Sequence, residues 1–138
     1  MGLAEATLYY FRLYAFNNVA QSAVVSTSAF TTLQSPTGLM ASALTTSQVN
    51  LYWTNHSALA DGTELQRSLD GLTGWVTLPA AGLPPTAASY TDTDVTAGKV
   101  YYYRVRATLS EPVSSSPFTP TVRAVTGPYW VYLPGINR

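Results

Sequence analysis

A tight turn that runs into a long alternating strand, VTAGKVYYYRVRA over residues 95–107, constrains this chain more than any other stretch. Tyr101, Tyr103, Val105 and Ala107 fall on one side at period two, while Tyr102, Arg104 and Arg106 fall on the other, the pattern of a half-buried antiparallel strand. A helix would mix the two sets. The same arrangement stands 92 residues earlier in LAEATLYYFRLYAFN, residues 3–17, where Tyr9, Phe11, Leu13 and Ala15 take the places of Tyr101, Tyr103, Val105 and Ala107. The repeat predicts one whole unit and part of a second within 138 residues.

Residues 3–16 read as one strand and residues 22–32 as another that pairs back across NNVAQ, giving a hairpin. An isolated two-stranded hairpin is marginal in water, and this one carries Tyr9, Phe11, Leu13 and Phe30 with nothing of its own to cover them. Residues 33–37 form a short linker. In SQVNLYWT, Val49, Leu51 and Trp53 alternate inward, placing Trp53 at the centre of the core. Asp70-Gly71 and Thr73-Gly74 mark turns, and Pro79 is expected to end the strand that starts at Trp75. Residues 88–92 form a short strand, LSEPVSSSP a loop, and residues 118–126 a final strand at a sheet edge, given Pro117 and Pro120. Seven short strands without helical periodicity predict an all-β fold, an antiparallel two-sheet sandwich.

Composition narrows the partners. Charged residues make up 10 % of the chain and cancel, which argues against nucleic acid or an anionic membrane surface. No apolar run of about 18 residues exists to span a bilayer, and no basic segment followed by an apolar one marks a signal peptide. The start falls almost inside a strand, so the chain is expected to begin in mid-domain. Cysteine is absent, so the redox compartment cannot be read from disulfides.

Residues 36–126 resemble a fibronectin type III domain through PTGLMA, the LYW strand, the LQRSLDGLTGW run, SYTDT and the VTAGKVYYYRVRA corner, all in that family's order. Residues 3–32 resemble the last two strands of a preceding copy. The resemblance implies residues 1–32 as a partial unit, residues 33–126 as a complete domain and residues 127–138 as a tail. It also implies that Tyr101 and Tyr9 are corner tyrosines whose hydroxyls tie the strand to the turn before it.

Catalysis has little to work with. A triad of Ser57, His56 and Asp61 would have to be assembled within one loop, where base-to-nucleophile geometry is rarely held. Asp92 and Asp94, helped by Asp61 and Glu111, could offer oxygens to calcium but fall short of the six to eight ligands that ion wants, so a solvated strand end is the expectation. Asn55-His56-Ser57 fits the N-glycosylation triplet, and Trp75 could stack on a sugar. Neither an enzymatic activity nor a metal or cofactor is expected.

The tail GPYWVYLPGINR is apolar on both sides if extended, with Tyr129, Val131 and Leu133 facing one way and Trp130 and Tyr132 the other. It resembles short Tyr-Leu-Pro tails with a closing Arg at the ends of some bacterial surface proteins. The chain is therefore expected to be a structural or adhesive extracellular or cell-surface module of bacterial type, with further copies of itself as partner, the tail of one on the hairpin of the next. The alternative is a spacer or carbohydrate-binding accessory of a secreted polysaccharide-acting enzyme, with polysaccharide or another cell-surface protein as partner.

Overall fold

The computed structural model describes residues 2–127, and the self-assembly residues Tyr129, Trp130, Val131, Tyr132 and Leu133 lie outside them. Ten strands and no helix make up the described chain. β1 (Leu8–Leu13) and β2 (Val25–Phe30) form the hairpin, with Leu8 opposite Phe30 and Leu13 opposite Val25. β3 (Thr37–Ser42), β4 (Val49–Thr54) and β7 (Ser89–Asp92) form one sheet of the sandwich in the order β3-β4-β7. The other sheet runs β10-β8-β5-β6, from β5 (Gly62–Ser68), β6 (Val76–Leu83), β8 (Val100–Leu109) and β10 (Val122–Val125), with β9 (Ser114–Ser115) also on β8.

The alternation in β4 and β8 builds the core. Val49, Leu51 and Trp53 from one sheet meet Leu65, Tyr101, Tyr103, Val105 and Ala124 from the other. Five of these, Val49, Leu51, Leu65, Tyr103 and Val105, are fully enclosed. Burying side chains of this size stabilises by about 1.5–3 kcal/mol each, so two facing rows suffice to hold the sheets together without metal or disulfide. The even-numbered residues of β8 stay half-buried on the outer face.

Three expectations are corrected by pairing. Pro79 does not end its strand, because β6 continues to Leu83. Its register against β5 jumps from Leu65↔Leu78 to Thr63↔Leu83, so residues 79–82 bulge out, and an edge strand there needs no proline N–H. LSEPVSSSP is not wholly loop, since Ser114 and Ser115 pair with Leu109 and Thr108. The final strand is shorter than residues 118–126. Ahead of it, the Ser116 and Thr119 N–H groups donate to the Ala107 and Val105 carbonyls, laying that segment along β8 outside the regular ladder.

The hairpin strands are also shorter than the alternation suggests, because residues before Leu8 form a corner rather than a strand. The two corners share the bonds that tie tyrosine and threonine to the turn. The Thr96 N–H donates to the Tyr101 hydroxyl at 2.8 Å, and the Ala4 N–H donates to the Tyr9 hydroxyl at 2.8 Å. Thr126 Oγ1 accepts from the Lys99 N–H and donates to the Thr96 and Lys99 carbonyls, while Thr31 Oγ1 accepts from the Thr7 N–H and donates to the Ala4 and Thr7 carbonyls. Gly98 has φ +73° in one corner, and Ala6 at the same position of the other has φ +45°. A left-handed alanine costs about 1–2 kcal/mol, so the corner's hydrogen bonds hold it there.

Candidate functional site

The site-bearing residues fall into four groups: a charge network between the sheets, a ladder on the outer face of β8, the β4–β5 loop, and the hairpin.

Arg67 projects from β5 between the sheets and meets Asp92 at the end of β7. Its Nη1 donates to both Asp92 oxygens at 3.1 and 2.9 Å and to the Asp94 carbonyl at 2.6 Å, and its Nη2 to the Asp94 carboxylate at 3.1 Å. The Tyr103 hydroxyl donates to Asp92 at 2.9 Å. Asp92 is therefore not a solvated strand end; its side chain is 2 % exposed, against 91 % for Asp94. Burial, and then the Asp92 charge, pushes the Tyr103 hydroxyl far above the usual phenol range. Burial opposes the Arg67 charge, but the hydrogen bonds it donates to Asp92 and Asp94 outweigh it and raise its pKa. Both carboxylates are spent on the guanidinium, and no group of three or more His, Cys, Asp or Glu is placed to hold a metal among the described residues. Two aspartates read alone suggested a solvated strand end; the partner Arg67, 25 residues upstream, carried no local signal.

On the outer face, Trp75, Arg104, Phe118 and Arg106 stack in sequence. The Arg104 guanidinium lies 4.0 Å from both the Trp75 and Phe118 rings, and Arg106 lies 4.4 Å from Phe118. Gln66 accepts two bonds from Arg104, and Glu64 accepts one from Arg106 at 2.6 Å. One face of Trp75 is thus occupied by a cation, which leaves only its other face for a sugar. Burial and the neighbouring Arg106 charge lower the Arg104 pKa. Burial opposes the Glu64 charge, but its bonds to Arg106, Thr77 and Gln66 prevail and hold the carboxyl below the usual range.

In the β4–β5 loop the three members of the conceivable triad face different partners. His56 Nε2 lies 2.6 Å from Thr37 Oγ1, the Ser57 hydroxyl donates to Glu5, and Asp61 accepts the Ser110 N–H. Asn55, which fits the glycosylation triplet, acts as a strut in this loop. Its Nδ2, the atom a glycan would need, donates to the Pro85 and Ala87 carbonyls, and its Oδ1 accepts the Trp53 indole N–H. That bond also explains how a Trp can sit at 5 % exposure in the core with its polar edge satisfied.

In the hairpin, the register puts Tyr9, Phe11 and Leu13 with Val25, Thr27 and Ala29 on one face, and Phe30 with Leu8 and Tyr10 on the other. Phe11 is 44 % exposed and Leu13 75 %, although their counterparts Tyr103 and Val105 are fully enclosed. β8 pairs with β5 on one edge and β10 on the other, whereas among the described residues β1 pairs with β2 alone.

With β3-β4-β7 facing β6-β5-β8-β10 and the tyrosine tied to its corner, the chain is similar to several solved structures. An Fn3-like protein from Clostridium thermocellum aligns at a TM-score of 0.56 and 25 % identity over 74 % of this chain and all of that one. The sandwich is a fibronectin type III fold. The fn3 domain of human collagen α-1(XX) aligns at 0.59 and 17 % identity over 75 % of this chain and 94 % of that domain. The FN1-FN3 domains of chicken CNTN1 align at 0.56 and 15 % identity, covering 90 % of this chain and 42 % of that one, a share larger than the sandwich alone supplies. No family model matches the chain, and no curated protein matches it in sequence. Fibronectin type III folds are typically non-catalytic modules, and function has to be argued from surfaces rather than from the fold.

Proposed function

We propose that this chain is a non-enzymatic structural and adhesive module of an extracellular or cell-surface assembly, and that it joins to copies of itself head to tail. One observation carries the proposal: among the described residues the core-type face and one edge of β1 are open, where the equivalent face and edge of β8 are covered by β4 and β5. An unpaired edge beside an apolar face is a template for another strand. The occupant is the segment from Tyr129 to Leu133 of a second copy, which alternates Tyr129, Val131 and Leu133 to one side if extended.

Reach favours a second copy over the same one. The tail departs beside the Gly98 corner, whose N–H donates to the Gly127 carbonyl, whereas the hairpin contacts the loop at the other end of β8 through Glu5. The ten residues of β8 span roughly 30 Å. The six residues that follow Gly127 as far as Leu133 extend at most about 22 Å, too little for that segment to cross the module and pair along β1. Head-to-tail contacts that do not close into a ring propagate as a filament. Sedimentation velocity over a concentration series tests the reading: the intact chain is expected to grow into higher species and a chain ending at Thr126 to stay monomeric. Assemblies that survive the truncation would refute it.

A further inference from the structure

The β4–β5 loop carries a second feature, independent of the tail. Glu5, the middle residue of the first corner, reaches across the linker. Its Oε1 accepts the Gln34 N–H at 2.6 Å, and its Oε2 accepts the Ser57 hydroxyl at 3.0 Å and the Ala58 N–H at 3.3 Å. Ser57 is itself held in place, because its Oγ accepts the Leu59 and Ala60 N–H groups. Around this contact Leu33 is 2 % exposed, Pro36 is buried, and the Ser35 hydroxyl donates to the Pro117 carbonyl at 3.1 Å. A linker of this kind is fastened at its start, its middle and its far side.

We infer that the β4–β5 loop is the seat for the corner of a preceding fibronectin type III unit, and that a glutamate at the middle corner position locks the joint between two units. The chemistry suits a carboxylate: three donors converge from two segments onto two oxygens, and charge-assisted bonds of this type are the strong ones. Ser57 and Ala58 belong to the seat, and Glu5 is the ligand that the preceding unit supplies. The repeat supplies the contrast. Ala97 holds the equivalent position in the second corner and has no oxygen to offer, so a unit seated against that corner gains no such lock. The residue at this position therefore decides whether a joint is stiff or loose, and the joint within this chain is stiff.

Because the chain has no cysteine, spin labels can be placed at Asn18→Cys in the hairpin loop and Leu44→Cys in the sandwich of the full chain. Pulsed dipolar spectroscopy is expected to give one narrow distance distribution, broadened about twofold or more by Glu5→Ala. Amide exchange at Gln34 and Ala58 should then rise about tenfold or more, while the Thr31 amide, bonded to the Thr7 carbonyl inside the hairpin, keeps its protection. A distribution that is broad from the start, or one that Glu5→Ala leaves unchanged, overturns the inference. Should Glu5→Ala also strip protection from Thr31, the hairpin has melted and Ser57→Ala decides from the sandwich side: broadening supports the lock, and an unchanged distribution refutes it.

Discussion

Asp92 is buried and accepts from Arg67 and Tyr103. Leaving one member of a buried ion pair alone costs about 3–5 kcal/mol, so Arg67→Met should lower stability by about that amount, and Arg67→Met with Asp92→Leu should recover much of the loss. Denaturant unfolding of the two variants checks this. The corner tyrosines offer a gentler pair of changes. Tyr101→Phe leaves the Thr96 N–H unpaired and should cost roughly 1–3 kcal/mol. The two corner residues with positive φ respond in opposite directions: Gly98→Ala should destabilise by about 1–2 kcal/mol, and Ala6→Gly should relieve strain in the hairpin. The Tyr101 corner was legible in the sequence because its turn and strand are contiguous. The Arg67–Asp92 pair was not, because its two members sit on different sheets and nothing near either one announces the other.

At the scale of the strand, alternation was the reliable signal. Val49, Leu51 and Trp53 point inward as their spacing demands, and Trp53→Ala should cost about 3–5 kcal/mol, whereas Trp75→Ala, on the outer face against Arg104, should cost less. Thermal melts of both rank them. Strand ends were less legible. Pro79 reads as a terminator until the register of β6 on β5 is known, because a bulge on an edge strand absorbs a proline without losing a ladder bond. Asn55 likewise reads as one residue of a polar loop until its amide is seen bridging Trp53 to the carbonyls of Pro85 and Ala87, which stand 30 residues or more away.

For the whole molecule, acid should weaken the fold. The folded-state pKa of Glu64 is depressed, as is that of Asp70, whose carboxylate accepts from Thr73, Leu72 and Ser68. A depressed carboxylate contributes stability that is present above its unfolded value, near 4.5 for Glu64, and is lost as pH falls through the folded one. Tm should therefore drop from pH 6 to pH 3, and the drop should shrink in Glu64→Gln. The larger claim, that the open edge of β1 receives the tail of a second copy, is tested most directly by disulfide trapping. Tyr10 lies on the face of β1 opposite Phe11, as Trp130 and Tyr132 lie opposite Val131 in an extended tail. Chains carrying Tyr10→Cys mixed with chains carrying Trp130→Cys or Tyr132→Cys should form a mixed disulfide under mild oxidation, faster than either forms one alone. Equal rates in the mixture and in Tyr10→Cys alone, or no mixed disulfide with either tail cysteine, would contradict the account.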